Sequence, residues 1–246
     1  MTISVKAILF DLDDTLLCND MSGFVSSYVP LIAQFVQPHI DSAFFIDELM
    51  LGSQAMVENQ DRNLTNAEVF WNLFYARTGL EEVLFMPVIE EFYDSEFSKL
   101  QGLTRPVPGA PEIVRYCMDE GYLVVVATNP LFPLSAIKQR LSWAGIPMSE
   151  FDYDLVTSYE NMHASKPWPD YYEEILRTIG VDPEEAVMIG DDWSNDIEGA
   201  SAAGLYTYWI DNSTAGESGN IPGLIGQGSL VDFFQLVKNG EIEPVQ

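Results

Sequence analysis

Residues Ala7-Ile8-Leu9-Phe10 lead directly into Asp11-Leu12-Asp13-Asp14-Thr15, so a short apolar run ends in a cluster of carboxylates. A continuous apolar run of this length is typical of a strand that is covered on both faces in a parallel sheet. In α/β sheets, ligands bind at the carboxyl ends of the strands. The segment therefore predicts a buried strand of an α/β sheet with an acidic site directly behind it.

The same alternation of apolar run and helical pattern continues along the chain. Further strands are predicted at residues 123–127, 186–189 and 205–210, with a weaker candidate at 153–156. Helices are predicted at residues 111–120, 134–144, 171–178 and 196–203, each with a glycine one or two residues after its end. Repeated strand–helix units predict a parallel sheet with right-handed crossovers. The C-terminal region is predicted to contain a mobile loop at 211–228 and a closing helix at 230–237.

The stretch between the first two predicted strands has a different pattern, with no convincing strand. Thr65-Asn66-Ala67-Glu68 is a capping box, and apolar residues follow it at helical spacing until Gly79. The same spacing indicates helices around residues 45–50 and after Pro87. The chain is therefore predicted to divide into a core of residues 1–17 and 100–246 and an all-helical insertion of residues 18–99.

The charge and composition exclude several classes of protein. The 246 residues include 11 Lys and Arg but 38 Asp and Glu, which gives a formal charge of −27. Wide contact with nucleic acid or an anionic membrane needs a positive face, so neither partner is expected. Cys18 and Cys117 lie far apart and form no metal-binding or disulfide pattern. With no secretory pattern in the first ten residues, a cytoplasmic location is expected.

A second acidic cluster follows the strand predicted at 186–189. It reads Gly190-Asp191-Asp192-Trp193-Ser194-Asn195-Asp196. Carboxylates gathered at neighbouring strand ends repel one another and raise each other's pKa. A hard divalent cation relieves that repulsion, and Mg²⁺ is typically bound by one or two carboxylates, phosphate and water. Asp11, Asp13 and Asp191 are therefore the candidate metal-site residues.

Two further features point to phosphate. Thr128 and Asn129 directly follow the strand predicted at 123–127, so a hydroxyl and backbone N–H groups are available at a third strand end. Lys166 stands in Ser165-Lys166-Pro167-Trp168-Pro169. A unit anion at ~4 Å and an effective dielectric of ~20 would interact with this lysine by roughly 4 kcal/mol. Lys166 could therefore offset the repulsion between the carboxylates and an incoming phosphate.

These four segments, in this order, resemble the four motifs of the haloacid dehalogenase superfamily. The matching segments are residues 10–15, residues 127–129, Lys166-Pro167 and residues 190–196. The resemblance implies a Rossmann-like parallel sheet of strand order 5-4-1-2-3, with a helical cap inserted after the first motif. In that order the first and fourth strands are neighbours, so Asp11 and Asp191 would face each other.

The resemblance also implies a reaction. Asp11 would attack phosphorus and form an aspartyl-phosphate, while Asp13 would protonate the leaving alcohol and then activate water. Asp11, the backbone carbonyl of Asp13 and Asp191 would bind Mg²⁺. The implied substrate-binding residues are Thr128, Asn129 and Thr15, with Lys166 stabilising the transferred group. Asp196 would orient Lys166 or a metal-bound water, and Asp192 stands where many relatives have serine.

Three alternatives remain beside hydrolysis of a small phosphorylated metabolite. A dehalogenase of this fold needs no second acid, so Asp13 argues against it. A sugar-phosphate phosphomutase would keep all four motifs, but it must also bind a second phosphate, normally with Arg or Lys from the cap. Residues 18–98 contain 13 acids and only Arg62 and Arg77 as basic residues. A non-enzymatic phospho-aspartate regulator would need neither the second acid nor the insertion.

Overall fold

The predicted strands form one parallel sheet in the computed structural model, which describes residues 3–211 and 221–244. The strands are β1 (Ile3–Val5), β2 (Ala7–Phe10), β3 (Leu17–Asn19), β4 (Thr104–Pro106), β5 (Leu123–Val126), β6 (Leu155–Val156), β7 (Ala186–Gly190), β8 (Tyr206–Ile210), β9 (Leu224–Gly228) and β10 (Ile242–Pro244). The main sheet has the order β6-β5-β2-β7-β8-β9, and every neighbouring pair is parallel. The order implied by the resemblance corresponds to β8-β7-β2-β5-β6 within this sheet.

Strand β2 lies between β5 and β7, and its burial explains its continuous apolar sequence. All four of its side chains are fully buried. Ile8 and Phe10 belong to one hydrophobic cluster, while Ala7 and Leu9 belong to a second. Successive side chains of a strand point to opposite faces, so each face of the sheet is covered by its own core. Phe10 pairs with Val126 on β5 and Ile189 on β7, which brings the three strand ends side by side.

Nine helices of the described residues flank the sheet or form the insertion. They are α1 (Met21–Val36), α2 (Ser42–Val57), α3 (Asn66–Thr78), α4 (Glu82–Ser95), α5 (Ala110–Asp119), α6 (Leu134–Trp143), α7 (Pro169–Ile179), α8 (Gly199–Ala202) and α9 (Leu230–Lys238). The capping box at Thr65 is present, and Gly79 ends α3 with a positive φ of 70°. The helix predicted at 196–203 is instead a π-helical segment, Trp193–Glu198, followed by α8.

The helix predicted to begin after Pro87 begins earlier, so that prediction was wrong. Helix α4 starts at Glu82 and contains Pro87. Proline removes one hydrogen bond to the carbonyl four residues earlier, which belongs to Val83. Val83 and Leu84 are 75% and 69% exposed, so water can satisfy that carbonyl.

The loop predicted at 211–228 was also partly wrong, because Leu224–Gly228 forms β9 at the edge of the sheet. Residues 212–220 of that prediction lie outside the described residues. Gly226 and Gly228 hide the strand in the sequence, since glycine is depleted in strands. Gly226 is required by packing, because a Cβ there would lie 2.9 Å from the Tyr208 ring. A glycine that allows close approach was therefore mistaken for a loop residue.

The segment between β3 and β4 contains α1–α4. The insertion was predicted to be all-helical from residue 18, but its first two residues form part of a strand. Cys18 and Asn19 belong to β3, which pairs antiparallel with β4, Cys18 lying opposite Arg105. The strand that precedes α1–α4 and the strand that follows them are thus paired with each other by a short antiparallel ladder. The division at 18–99 stays a prediction. No helix among residues 3–211 and 221–244 is long and apolar enough to cross a membrane.

Candidate active site

The loop after β2 is fixed to the sheet through its backbone. Asp11 donates its N–H to the carbonyl of Ile189 at 2.8 Å, and the carbonyl of Phe10 accepts from the N–H of Ala127 at 2.7 Å. Asp14 then adopts a φ of 52°, a left-handed conformation that Asp tolerates better than most residues. This turn leaves Asp11 only 7% exposed, at the end of the central strand.

Lys166 connects the first motif to the fourth motif. Its Nζ donates to Asp11 Oδ1 at 2.7 Å and to Asp196 Oδ1 at 2.6 Å. The side chains of Lys166 and Asp196 are 2% and 1% exposed, so these ion pairs are screened little by solvent. Asp196 and Lys166 are therefore in direct contact, while the predicted role of Asp196 in orienting Lys166 or a metal-bound water stays a prediction.

The pKa values of these three groups follow from burial and mutual attraction. Burial raises the pKa of Asp11 well above its ordinary value, and Lys166 opposes that rise. Burial also raises the pKa of Asp196, again against the influence of Lys166. For Lys166, burial disfavours the charged form, but the two carboxylates outweigh it and raise the pKa of the amine well above its usual range. Lys166 is thus held as a cation next to Asp11.

Asp191 completes an acidic cluster that fits a hard cation. One carboxylate oxygen from each of Asp11, Asp191 and Asp196 lies within 4.8 Å of the others. Burial, with Asp196 and Asp14, raises the pKa of Asp191 to about 7. Asp196 is already engaged, because its Oδ1 accepts from Lys166 and its Oδ2 from the N–H of Asp192. The oxygens of Asp11 and Asp191 are therefore the better pair of ligands, and they suit Mg²⁺.

Thr128 and Asn129 lie at the same edge, as the sequence predicts. The carbonyl of Thr128 accepts hydrogen bonds from Thr157 Oγ1 at 2.6 Å and from the Tyr171 hydroxyl at 2.9 Å. Asn129 Oδ1 accepts from the N–H of Lys166 at 3.3 Å. These bonds hold the second segment against the third. The resulting cleft has a volume of about 300 Å³, and its lining includes Asp11, Asp13, Thr128, Asn129, Lys166, Asp191 and Asp196.

Comparison with known proteins identifies the family. Residues 5–204 match the family model described as haloacid dehalogenase-like hydrolase. The chain belongs to the haloacid dehalogenase-like hydrolase family. This confirms the prediction of an enzyme of that family, and the order of the four motifs along the chain agrees with it.

Several relatives with curated names are phosphatases. The hydrolase is 27% identical over 208 residues to the glyceraldehyde 3-phosphate phosphatase of Methanopyrus kandleri, a match that covers 84% of each chain. It is 30% identical over 204 residues to the N-acetylmuramic acid 6-phosphate phosphatase of Pseudomonas aeruginosa, covering 82% and 80%. The crystal structure of a phosphatase of this family from Thermococcus onnurineus is similar in fold, with a TM-score of 0.57, 20% identity and coverage of 94% and 97%.

Of three further residues of the first and fourth motifs, Asp192 lines the cleft of this hydrolase, whereas Thr15 and Trp193 do not. Thr15 is fully buried beneath the loop, with no partner for its hydroxyl among the described residues, so its role in substrate binding stays a prediction. Asp192 caps the π-helical segment by accepting from the N–H groups of Ser194 and Asn195. The Trp193 ring packs against Trp209, at 4.9 Å between centroids, rather than lining the cleft.

The sequence analysis missed two residues of the hydrolase that hold Asp13. Asn19 Nδ2 donates to Asp13 Oδ1 at 2.7 Å, and a guanidinium nitrogen of Arg140 contacts the same oxygen. Arg140 is 1% exposed and also lines the cleft. The sequence of α6 contains a signal that could have identified Arg140 as a buried residue. Arg140 falls on the same face as the buried residues Ile137 and Ala136, where a charge is unusual.

Proposed function

We propose that this hydrolase cleaves small phosphomonoesters with the help of Mg²⁺, through an aspartyl-phosphate on Asp11. The observation that carries the proposal is the contact of Lys166 Nζ with Asp11 at 2.7 Å, with the Asp191 carboxylate close by. A nucleophile, a fixed cation and a second carboxylate thus share one cleft. This combination suits an anionic electrophile such as a phosphoryl group.

The chemistry assigned to the protein side chains has two halves. Asp11 Oδ attacks phosphorus while the bond from phosphorus to the alcohol oxygen breaks, and Asp13 gives a proton to that oxygen. Water then attacks the aspartyl-phosphate, Asp13 takes the proton, and inorganic phosphate leaves with Asp11 restored. Lys166 and the groups of Thr128 and Asn129 stabilise the charge on the transferred phosphoryl oxygens.

Asp11 and Asp191 would hold Mg²⁺ by their carboxylates, with the backbone carbonyl of Asp13 as a further ligand implied by the family resemblance. When bound, the ion supplies positive charge between the nucleophile and the phosphoryl group. Two further side chains of the protein support Asp11. Asp196 positions Lys166, and Lys166 balances one oxygen of Asp11.

A phosphomutase is the main competitor, and the positions of the two arginines of the insertion argue against it. Arg77 pairs with Glu48, and Arg62 pairs with Asp170. Neither arginine is among the residues that line the cleft. A mutase must bind a second phosphate, so hydrolysis is the better fit. Dehalogenation is disfavoured by the second acid, Asp13.

The substrate class is inferred from the phosphatase relatives and from the charge. A formal charge of −27 repels nucleic acids and anionic membranes, so a small phosphorylated metabolite is the favoured partner. Within this proposal, the helical insertion of residues 18–99 covers the cleft as a cap, and the enzyme works in the cytoplasm.

Phosphate release from p-nitrophenyl phosphate tests the proposal. With Mg²⁺, the wild-type protein should turn over the ester, and Asp11→Asn should lose almost all activity while keeping its circular dichroism spectrum. Asp152→Asn removes an exposed carboxylate and should behave like wild type. EDTA should abolish turnover in wild type.

Equal activity of wild type and Asp11→Asn would refute the assignment of Asp11 as the nucleophile. No turnover with stable labelling of Asp11 by acetyl phosphate would instead favour a mutase or a regulator.

A further inference from the structure

An apolar cavity lies beside the carboxylate cleft. Its volume is about 200 Å³, and it is formed by α1–α4 together with the loop after β5 and Tyr159. Among the described residues, no charged side chain lines it. Val25, Leu131 and Phe132 line both this cavity and the cleft. A group attached to a phosphoryl oxygen in the cleft can therefore extend past these three side chains into the cavity.

The polar atoms of the cavity wall already have partners within the wall. The hydroxyls of Tyr28 and Tyr93 bond to each other at 2.8 Å, and burial raises the pKa of Tyr28 to about 12, so it stays neutral. Trp71 Nε1 donates to the Tyr159 hydroxyl at 3.3 Å. Ser53 Oγ donates to the carbonyl of Leu49 at 2.8 Å. A sugar would have to displace these bonds to gain its own, whereas an apolar group would leave them intact.

The three cations of the predicted insertion, Arg62, Arg77 and Lys99, do not line the cavity. Arg62 and Arg77 have side chains that are 63% and 49% exposed, and they pair with Asp170 and Glu48. A carboxylate or second phosphate on the leaving group would thus be desolvated in the cavity without a counterion.

From these observations we propose that the enzyme is selective for phosphomonoesters whose leaving group is an uncharged, apolar alcohol or phenol. The proposal rests on the proposed phosphatase function and adds a substrate class to it. A cavity of ~150 Å³ is known to hold benzene. A cavity of about 200 Å³ has room for a ring or a branched chain of similar size.

A homologous series of esters tests the selectivity. The 4-methyl-, 4-ethyl- and 4-propylphenyl phosphates have nearly equal leaving-group acidity but growing apolar tails. We expect kcat/KM of wild type to rise about fourfold per methylene, because each buried methylene contributes about that factor. Phosphoglycolate, which carries a carboxylate, should be hydrolysed more slowly than any of the three.

Two variants on α2 localise the effect. Ser53→Phe fills the cavity and should flatten the rise across the series. Gln54→Phe places the same ring on the exposed side of the helix and should keep the rise. Competitive inhibition of wild type by the free 4-alkylphenols, assayed with p-nitrophenyl phosphate, should strengthen by the same factor per methylene. That measurement stands even where Ser53→Phe does not fold.

The outcomes separate the two proposals. Turnover of p-nitrophenyl phosphate without any rise along the series, or with phosphoglycolate preferred, would overturn the selectivity and leave the phosphatase function standing. A rise that persists unchanged in folded Ser53→Phe would overturn the assignment to this cavity. Failure of wild type to hydrolyse any ester would overturn the proposed function, and the selectivity with it.

Discussion

The guanidinium of Arg140 contacts the carboxylate of Asp13, which lies 127 residues earlier in the chain. Arg140 also lies against two aromatic rings, with its Cζ 5.6 Å from the centroid of Phe24 and 5.4 Å from that of Phe132. A planar guanidinium fixed in this way orients a carboxylate better than a flexible ammonium. Arg140 is therefore a positioning residue for the proposed proton donor. It belongs to α6, whereas Phe24 belongs to α1, which lies between β3 and β4 in the chain.

Loss of Arg140 should affect poor leaving groups most. Because a positioned acid contributes roughly 10²–10⁴-fold, kcat/KM of Arg140→Met for an alkyl phosphate should fall by about 100-fold. For p-nitrophenyl phosphate the fall should be under about tenfold, since nitrophenolate leaves without a proton. Arg140→Lys should recover part of the difference.

The matched control is Arg115→Met, which removes an exposed arginine stacked over Phe151 at 4.0 Å. It should leave both rates within about twofold of wild type, as expected of a surface change. Equal losses for the two esters in Arg140→Met would contradict a role through Asp13 and indicate a general packing defect.

Asp191 should make the stability of the metal-free protein depend on pH. Its pKa is raised to about 7 in the folded state by burial and by neighbouring carboxylates. From about pH 4 to pH 7, the folded protein keeps a proton that the unfolded chain releases, so this group favours folding less as the pH rises. Since Asp191 is partly exposed, we expect a loss on the order of 2 kcal/mol between pH 5 and pH 7.5.

Urea unfolding in EDTA measures this loss as a difference between wild type and Asp191→Asn. The variant should gain stability relative to wild type as the pH rises, and Mg²⁺ should stabilise wild type at pH 7.5 but not the variant. Asp152→Asn, at an exposed position, should track wild type throughout. A constant difference between wild type and Asp191→Asn across this pH range would exclude the raised pKa.

Asn66 should be a strong link between α3 and the loops that precede α6 and α7. Its buried Nδ2 donates to Ser165 Oγ at 3.0 Å and to the carbonyl of Pro130 at 3.3 Å, and its Oδ1 accepts from Asn59 at 3.0 Å. Removing it takes one buried hydrogen bond from each of these partners, although Ser165 Oγ and Asn59 Nδ2 keep others. We expect Asn66→Ala to lower the free energy of unfolding by about 1–3 kcal/mol. Asn63→Ala, at an exposed turn, should cost less than about 0.5 kcal/mol in the same urea titration.

Local patterns predict much of this fold because they reflect local causes. The apolar run of β2 is continuous because both of its faces are buried, and the acids follow it because the loop begins there. The edge strand β9 escaped prediction, since its glycines serve a tertiary contact with Tyr208. The start of α4 was predicted wrongly for a similar reason. Whether a helix tolerates a proline such as Pro87 depends on whether water reaches the carbonyl that has lost its hydrogen bond.

The residues of the site could be predicted only where they stand next to a recognisable strand or helix in the sequence. Asp11 and Asp191 each follow a recognisable strand, so their meeting could be inferred from the strand order that the family resemblance implies. The contacts of Asp13 could not be inferred in that way. Arg140 reaches Asp13 from a helix face whose direction depends on how α6 packs, and Asn19 reaches it through the short pairing of β3 with β4.

Gly190 should be intolerant of even one added carbon. A Cβ at this position would overlap the carboxylate of Asp196, which holds Lys166. Gly190→Ala must therefore displace Asp196, and with it the cation next to Asp11. Because a displacement of about 1 Å can cost about 100-fold in rate, kcat should fall by that order while KM changes little. Gly102→Ala adds a carbon where no atom lies within 4 Å and should retain wild-type kcat. Full activity in Gly190→Ala would show that the exact position of Lys166 does not limit the reaction.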